Sequence, residues 1–333
     1  MRLVYRRKTI KWIAFISFLL LLSFKLVAQT AQFQTDNQIK LLFEKFKKSP
    51  PANMPERIDV ISTEFIGKPY LMGALGEGSD ARFDQKPRYR TDAFDCDTYV
   101  TTVLALALAK NEQVFPHCMA KVRYKGGKID FISRNHFISL DWNPNNQGQH
   151  FIKDITPTIR DQNNQPLAKI ATALINKPSW YQHFSNKNIY LNSSDEKEQA
   201  LRLAELKQAG SKLEIQEATI PYLPLTALFD AKGNPNHFVF AQIPHAAIIE
   251  IVRPNWNLRE IIGTNLNVSH LGFVFWKNGT PFFRQASSEY GMVVEVPLID
   301  YLRATLKSPT IKGINIEVVV PRGPLDEFCT NKT

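Results

Sequence analysis

The sequence predicts an α+β fold on two observations: one helix that is apolar on nearly every face, and a later run of short β-rich segments. Residues 97–110 carry almost only apolar and small side chains, which is typical of a helix buried on all sides. The β-rich segments lie between 238 and 320, and the pair Asn278-Gly279 predicts a hairpin between two of them. With 333 residues, 44% of them hydrophobic, the chain can form a sizeable core.

Residues 1–28 have the pattern of a targeting segment. A basic stretch from Arg2 to Lys11 precedes an uncharged run over 12–24, which is too short for a membrane span of about 20 residues. Small Ala28 suits the last position before a cleavage site. We therefore predict a signal peptide over 1–28, with an uncleaved N-terminal anchor as the alternative, and a periplasmic or secreted protein.

A polar leader segment, 29–54, precedes a single predicted domain at 55–325. Apolar residues at helical spacing predict a helix over 38–47 within the leader. A second helix is predicted over 55–66, with a proline in its first turn and a glycine after its end. Residues 121–142 are predicted as strands.

Residues 143–236 are rich in Asn, Gln and Lys, and we predict a long mixed insertion into the domain. Its one clear helix follows the capping pair Ser193 and Glu196. A short helix is predicted over 298–306, and residues 326–333 form a C-terminal tail. The remaining predicted strands are 238–241, 247–252, 271–276, 281–285 and 314–320.

The net charge of +10 suggests a polyanionic partner, but six of these charges belong to residues 1–28. From residue 29 onward there are 35 basic and 31 acidic residues, a balance of +4. A domain that is only weakly basic gives little reason to propose a nucleic-acid partner. A membrane partner is expected only if the leader stays uncleaved.

Three cysteines, Cys96, Cys118 and Cys329, occur in a chain that is predicted to be exported. An oxidising compartment favours disulfides, and an odd number of cysteines leaves at least one thiol free. A Cys118–Cys329 disulfide is one hypothesis and would leave Cys96 free, but geometry has to decide it.

Cys96 stands directly before the apolar helix. At a helix N-terminus, the dipole and the first N–H groups favour a thiolate, and a backbone N–H can stabilise an oxyanion. We therefore predict Cys96 as a nucleophile rather than a buried structural cysteine. The acids Asp95 and Asp97 oppose this role, because their charge raises a thiol pKa, although Asp95 can instead cap the helix.

A cysteine nucleophile needs a base, which is usually histidine. Of the seven histidines, His136 and His270 each begin a β-rich run, and spacing alone does not decide between them. Gly272 and Ser269 leave space beside His270, and the predicted hairpin brings Gln285 near it as a group that orients the base. The sequence contains no zinc, calcium, phosphate-loop or dinucleotide motif, so no metal or cofactor is expected.

Seven short motifs follow one another in an order that resembles a known family, and together they span about 60–325. The chain is similar to the N-acetylmuramoyl-L-alanine amidase-like family, formerly a domain of unknown function, in the NlpC/P60 cysteine peptidase superfamily. The motifs include Gly67-Lys-Pro-Tyr70, Phe94-Asp-Cys96-Asp-Thr, Arg134-Asn-His-Phe137, Ile220-Pro-Tyr222, Val268-Ser-His-Leu-Gly272 and Ala286-Ser287.

This resemblance implies a papain-like core, with the nucleophile Cys96 at the start of a buried helix that packs on an antiparallel sheet. It implies His270 as the base and Gln285 as the third catalytic residue, where superfamily members often have histidine. It also implies Tyr70 as support for the oxyanion. The substrate-binding residues that it implies are Arg134, Asn135 and His136.

The predicted function is a cysteine-dependent cell-wall hydrolase that cleaves the amide between N-acetylmuramic acid and L-Ala in peptidoglycan fragments. Arg134 is expected to bind a carboxylate of the peptide stem through paired hydrogen bonds. One alternative is a γ-D-glutamyl-diamino acid endopeptidase with the same catalytic residues. The other is a catalytically inactive peptidoglycan-binding protein, because Gln285 is uncharged and two acids flank Cys96.

Overall fold

The computed structural model describes residues 32–192 and 195–330, and it has the predicted mixed α+β fold with one large antiparallel sheet. The predicted signal peptide or anchor at 1–28 lies outside the described residues, as do Ser193 and the last residues of the predicted tail. Among the described helices, none has both the length and the apolar character that crossing a membrane requires.

Four helices come first. The described part of α1 covers 32–48, and the next three are α2 (Met54–Thr63), α3 (Cys96–Leu108) and α4 (Phe115–Arg123). The helices predicted at 38–47 and 55–66 are confirmed as α1 and α2. Although α1 lies in the segment predicted as a leader, its apolar face belongs to the main core, through Ile39, Leu42, Phe43 and Phe46.

The predicted buried helix is confirmed as α3, and both of its ends are fixed. Asp95 accepts a hydrogen bond from the Thr98 N–H at 2.8 Å, and the Thr98 hydroxyl accepts one from the Asp95 N–H at 2.9 Å. At the other end, the buried Arg57 guanidinium donates to the Ala109 carbonyl at 2.7 Å. Because caps satisfy backbone groups that a helix leaves free, this helix holds Cys96 in a fixed position.

The sheet runs in the order β2-β3-β8-β4-β5-β6-β7, with β1 paired to β8, and every pairing is antiparallel. Three of the strands come from the segment 143–236 that was predicted as an insertion. The strands are β1 (Ile152–Asp154), β2 (Lys169–Asn176), β3 (Ile215–Pro224), β4 (Ile248–Leu258), β5 (Thr264–Lys277), β6 (Thr280–Ser287), β7 (Met292–Pro297) and β8 (Gly313–Val319).

Seven further helices connect these strands in the described part of the chain. The helix predicted after Ser193 is confirmed as α7, but Asp195 caps it, through the N–H groups of Lys197 and Glu198. The helices are α5 (Asn143–Gly148), α6 (Lys177–Gln182), α7 (Glu196–Gly210), α8 (Leu225–Leu228), α9 (His237–Phe240), α10 (Arg259–Ile262) and α11 (Leu298–Thr305).

Two predicted strand regions are wrong. Residues 121–123 end α4, and residues 138–142 form one π-helical turn in which the Phe137 carbonyl accepts the Trp142 N–H at 3.1 Å. Residues 237–240 form α9, because the Asn236 side chain caps the Val239 N–H. In both places local hydrogen bonds outweigh the β propensity of aromatic and branched side chains.

The hairpin between β5 and β6 is confirmed. Lys277 pairs with Thr280, and Asn278 and Gly279 both have positive φ, at 49° and 78°, as a type I′ turn requires. Further along, Gly272 permits the two strands to approach closely, because a Cβ there would lie 2.6 Å from the Arg284 carbonyl oxygen. This hairpin sets the distance between the two segments that carry His270 and Gln285.

The sheet separates two hydrophobic cores. On one face, Phe273 and Phe275 of β5 pack with α1–α4. On the other face, Val274 packs with α8, α9 and the Leu298 and Leu302 side chains of α11. Cys96, at the N-terminus of α3, packs against the first of these cores.

Candidate active site

Cys118 and Cys329 form a disulfide, with their Cα atoms 5.2 Å apart. The bond ties α4 to the C-terminal segment across 211 residues of chain. Cys96 is the free cysteine of the protein. The hypothesis that Cys118 pairs with Cys329 and leaves Cys96 as the free thiol is therefore confirmed.

The Cys96 thiol lies at the N-terminus of α3, where the backbone N–H groups of Asp97 and Leu271 point to it and favour its thiolate form. Burial has the larger, opposite effect. Together with the charges of Asp95 and Asp97, it raises the pKa of the Cys96 thiol to about 12. The expected low thiol pKa is therefore absent, and the resting side chain is a thiol at neutral pH.

His270 lies on β5 next to Leu271, whose backbone N–H contacts the Cys96 thiol. The His270 Nε2 is hydrogen bonded to the Gln285 Oε1. Because an amide oxygen only accepts, Nε2 must carry the proton, and Nδ1 keeps a lone pair. Burial lowers the pKa of His270 to about 4, although the Gln285 hydrogen bond acts in the other direction.

Gln285 is 2% exposed, and it reaches His270 from β6. Its amide nitrogen, Nε2, is buried and has no hydrogen-bond partner among the residues that the structure describes. The side chain therefore orients the imidazole through its oxygen alone. Being uncharged, it stabilises an imidazolium less than a carboxylate would.

Tyr70 lies on the other side of the nucleophile. Burial, Cys96 and Asp95 raise the pKa of its phenol to about 12, so the hydroxyl stays protonated and can donate a hydrogen bond. The Gly291 carbonyl accepts the Tyr70 N–H at 2.8 Å. In the same loop, the Gly73 N–H donates to the Asp95 carboxylate at 2.8 Å, which couples the loop to the start of α3.

The two candidate bases, His136 and His270, are separated by their surroundings. The His136 Nε2 donates to the Phe131 carbonyl at 2.8 Å, and its ring packs 4.7 Å from that of Trp180. Burial and the charge of Arg134 hold the pKa of His136 well below its ordinary value. The contacts that reach Cys96 come from the His270 segment instead.

A cavity of about 430 Å³ opens beside Asp95, next to the nucleophile. Arg134 lines it, but its guanidinium is paired with Glu77 and lies 3.2 Å from the Asp84 carboxylate. Although burial acts to lower it, these two acids raise the pKa of Arg134. Other residues that line the cavity are Lys86, His136, Trp180 and Lys187.

Asn135 does not line this cavity. It is buried, and its amide donates to the Val122 carbonyl at 3.1 Å. The structure therefore pairs His270 with Gln285 and brings Tyr70 and the Leu271 N–H to Cys96, whereas it turns Asn135 toward the interior. Arg134 and His136 belong to the wall of the cavity.

Sequence reasoning missed two residues near the nucleophile, Arg253 and Tyr301. Both are partly exposed, and Tyr301 is influenced electrostatically by Cys96 and by Arg253. Arg253 directly follows the predicted strand 247–252, so a cation at the end of a buried strand is the sequence feature that could have identified it. Tyr301 lies on α11 in no recognisable motif.

No cluster of three or more His, Cys, Asp or Glu side chains in residues 32–192 and 195–330 has an arrangement that could hold a metal ion. The groups described above that can attack a carbonyl, transfer a proton or orient a base are the Cys96 thiol, the His270 imidazole and the Gln285 amide. The groups that surround them supply hydrogen bonds and charge.

Two solved structures with related sequences resemble this fold. A protein of Legionella pneumophila str. Philadelphia 1 with the family designation DUF1460 is 51% identical, with a TM-score of 0.87 over 90% of this chain and 99% of that one. An N-acetylmuramoyl-L-alanine amidase from Bacteroides uniformis ATCC 8492 is 25% identical, with a TM-score of 0.54 over 80% of this chain and 99% of that one.

A third structure, from Bacteroides fragilis and labelled a xylanase, is 24% identical with a TM-score of 0.52, so it bears on the fold alone. No curated protein matches this sequence. A family model described as N-acetylmuramoyl-L-alanine amidase-like matches residues 60–311, the greater part of the chain. The protein therefore belongs to the AmiA-like, N-acetylmuramoyl-L-alanine amidase-like family.

Proposed function

We propose that this protein is a cysteine-dependent cell-wall hydrolase that cleaves the amide between N-acetylmuramic acid and L-Ala in peptidoglycan fragments. One observation carries the proposal: the Leu271 N–H contacts the Cys96 thiol, while the adjacent His270 is oriented by Gln285. Family membership supports amide cleavage. We also propose that helix and sheet form the papain-like core of the NlpC/P60 superfamily.

In the first half of the proposed reaction, the Cys96 proton moves to the free Nδ1 of His270 and the sulfur attacks the lactyl carbonyl carbon. The N–H groups at the start of α3 and the Tyr70 hydroxyl are suited to stabilise the oxyanion. His270 then gives its proton to the amide nitrogen. The C–N bond breaks, and the peptide leaves with a free amino group on L-Ala.

In the second half, His270 takes a proton from water, and the hydroxide attacks the thioester carbonyl. The C–S bond breaks, the lactyl group leaves as a carboxylic acid, and Cys96 regains its proton. Before each proton uptake, Gln285 holds the neutral imidazole in the tautomer whose Nδ1 is unprotonated, and it keeps the ring oriented when Nδ1 carries the proton.

The resting site is a neutral pair rather than an ion pair, because burial raises the Cys96 pKa to about 12 and lowers the His270 pKa to about 4. A thiolate therefore forms only as His270 takes the proton, when substrate displaces water and presents its carbonyl. Such a site suits small, well-seated substrates better than a large wall surface. The cavity beside Asp95 supports this, since Trp180 and Lys187, from the segment 143–236, line it.

We propose further that the protein works outside the cytoplasm, in the periplasm or after secretion. The pattern of residues 1–28 supports export. The Cys118–Cys329 disulfide supports it as well, because such bonds persist in oxidising compartments.

Product masses from a defined N-acetylmuramoyl tripeptide test the function. The wild type is expected to release the intact tripeptide beginning with L-Ala, and Cys96→Ala is expected to release nothing. Release of the L-Ala–D-Glu-bearing muramoyl fragment would identify a γ-D-glutamyl endopeptidase instead. No product from the wild type, with the disulfide and the thermal midpoint intact, would contradict both hydrolase assignments.

The catalytically inactive alternative is favoured by the raised Cys96 pKa and the uncharged Gln285. Iodoacetamide labelling against pH separates it from the proposal. In an active site, labelling is slow at pH 7 and falls further in His270→Ala, because the imidazole assists the loss of the thiol proton. A labelling rate that is the same in wild type and His270→Ala would support the inactive binding protein.

A further inference from the structure

Arg253 lies on β4, in the strand that pairs with the His270 segment of β5. Its Nε donates to the Ser269 hydroxyl at 3.1 Å, and its Nη1 donates to the Thr310 hydroxyl at 3.0 Å. Its guanidinium lies 4.3 Å from the ring centroid of Trp256. In the described part of the chain, none of the ion pairs involves Arg253, so its charge has no acidic partner.

Tyr301 lies on the His270 side of the sheet. Its ring lies 5.0 Å from that of Phe283, which in turn lies 5.9 Å from the imidazole of His270. Burial and then Cys96 raise the pKa of the Tyr301 phenol, while Arg253 opposes them. The Phe283 ring therefore lies between Tyr301 and the imidazole of His270, and the electrostatic influence of Arg253 and Cys96 on Tyr301 agrees with this placement.

The chemistry of this pair suits an anion. Serine and threonine hydroxyls orient the Arg253 guanidinium without neutralising it, and they occupy only two of its five N–H donors. The Tyr301 hydroxyl forms no hydrogen bond to any residue that the structure describes, so it is available as a second donor. The exposed acid Glu289 influences Tyr301 but not Arg253.

The proposed substrate has a free carboxylate on only one side of the scissile amide. Once the lactyl carboxyl is in the scissile amide, the muramoyl part carries no free carboxylate. In the peptide stem, D-Glu follows L-Ala and is linked onward through its side chain, so its α-carboxylate stays free. Arg134 does not suit this group, because Glu77 and Asp84 already neutralise it.

We propose that Arg253 and Tyr301 bind a free carboxylate on the peptide side of the scissile amide, and that Arg253 thereby determines substrate specificity. The inference rests on the proposed amidase function. It names the part of the active site that distinguishes a stem with a carboxylate from one with a carboxamide. Both oxygens of a planar carboxylate can accept hydrogen bonds from the N–H groups of the guanidinium. A carboxamide carries no negative charge to pair with the guanidinium.

Binding to a catalytically silent protein tests this site without requiring turnover. Calorimetric titration of Cys96→Ala would compare an N-acetylmuramoyl tripeptide that carries the D-Glu α-carboxylate with the same molecule bearing an α-carboxamide. The carboxylate ligand is expected to bind about tenfold to a hundredfold more tightly, as charged hydrogen bonds typically give. In Cys96→Ala/Arg253→Gln this preference should disappear.

Arg322→Gln in the same Cys96→Ala background is the matched control, because Arg322 is exposed in the C-terminal segment and the preference should be kept there. A preference that survives Arg253→Gln, or no preference and no binding in Cys96→Ala, overturns the proposal. If wild type cleaves the tripeptide while the preference is absent, the amidase stands and the carboxylate site fails. If the preference depends on Arg253 but no cleavage occurs, the carboxylate site stands and the amidase fails.

Discussion

Two arginines lie near the candidate site, Arg134 in the wall of the cavity beside Asp95 and Arg253 against Ser269, next to His270, and their surroundings differ. Arg134 has a 14% exposed side chain and is paired with two carboxylates that are each 5% exposed. Arg253 is held only by two hydroxyls and an aromatic ring. Arg134 therefore neutralises buried carboxylates in the wall of the cavity, whereas the charge of Arg253 is available to a ligand.

This difference shows that residue type alone does not reveal whether a charged side chain is free to bind a ligand. From sequence, Arg134 was expected to bind the substrate because it stands in a family motif. The structure gives it the acids Glu77 and Asp84, which come from a loop some fifty residues earlier. Removing either arginine should therefore harm the protein in a different way.

The largest expected effect is on stability, at Arg134. In Arg134→Met the acids Glu77 and Asp84 stay buried without a cation, and breaking such a pair costs about 3 to 5 kcal/mol. Urea unfolding measures this loss. Arg82→Met is the matched control, since Arg82 also pairs with two acids but its side chain is 43% exposed, so its loss should destabilise the fold far less than that of Arg134. Equal losses in the two variants would contradict the account.

The reverse imbalance occurs on the paired strands β4 and β8, where two buried carboxyls form no ion pair with any residue that the structure describes. Burial raises the pKa of Glu250 to about 8 and that of Glu317, which Glu250 also influences, to about 9. Between the ordinary glutamate pKa and these values, the unfolded chain is ionised while the folded one is protonated. Stability is therefore lost as pH rises through this range.

Glu250→Gln replaces one of these titrating carboxyls with an uncharged amide. The change should stabilise the fold at pH 7 by on the order of 1 to 3 kcal/mol, and the gain should increase up to about pH 8. Urea unfolding at several pH values measures this. Glu260→Gln, the same change at an exposed position on α10, should leave the pH slope unchanged. A Glu250→Gln variant that keeps the wild-type slope would show that this carboxyl is not protonated in the fold.

The smallest stability effect is expected at Arg253. Arg253→Gln leaves no buried acid without a partner, so its unfolding free energy should stay within about 1 kcal/mol of the wild type. Urea unfolding beside Arg134→Met makes the comparison directly. A loss as large as that of Arg134→Met would assign Arg253 to the structure rather than to the substrate.

Much of the fold was predictable, because it depends on local pattern. The apolar run predicted α3, and Asn278-Gly279 predicted the hairpin that brings Gln285 to His270. The segments at 138–142 and 237–240 were not predictable as helical, since their hydrogen bonds outweigh their β propensity.

The site was predictable where motifs mark it and hidden where distant elements build it. The residues around Cys96 predict that a helix begins there. Its raised pKa, however, comes from burial, which no local pattern shows. Tyr301 and Arg253 come from α11 and β4, so only the assembled fold brings them near the His270 segment.

The central claim is that the Cys96 thiol attacks the substrate carbonyl. Rapid quenching of the wild type with an N-acetylmuramoyl tripeptide, followed by intact-protein and peptide mass spectrometry, tests it most directly. The account predicts a transient thioester on the peptide containing Cys96, with the mass of the muramoyl group, and none in Cys96→Ala. Peptide release by Cys96→Ala at the wild-type rate, with no adduct on Cys96 of the wild type, would contradict it.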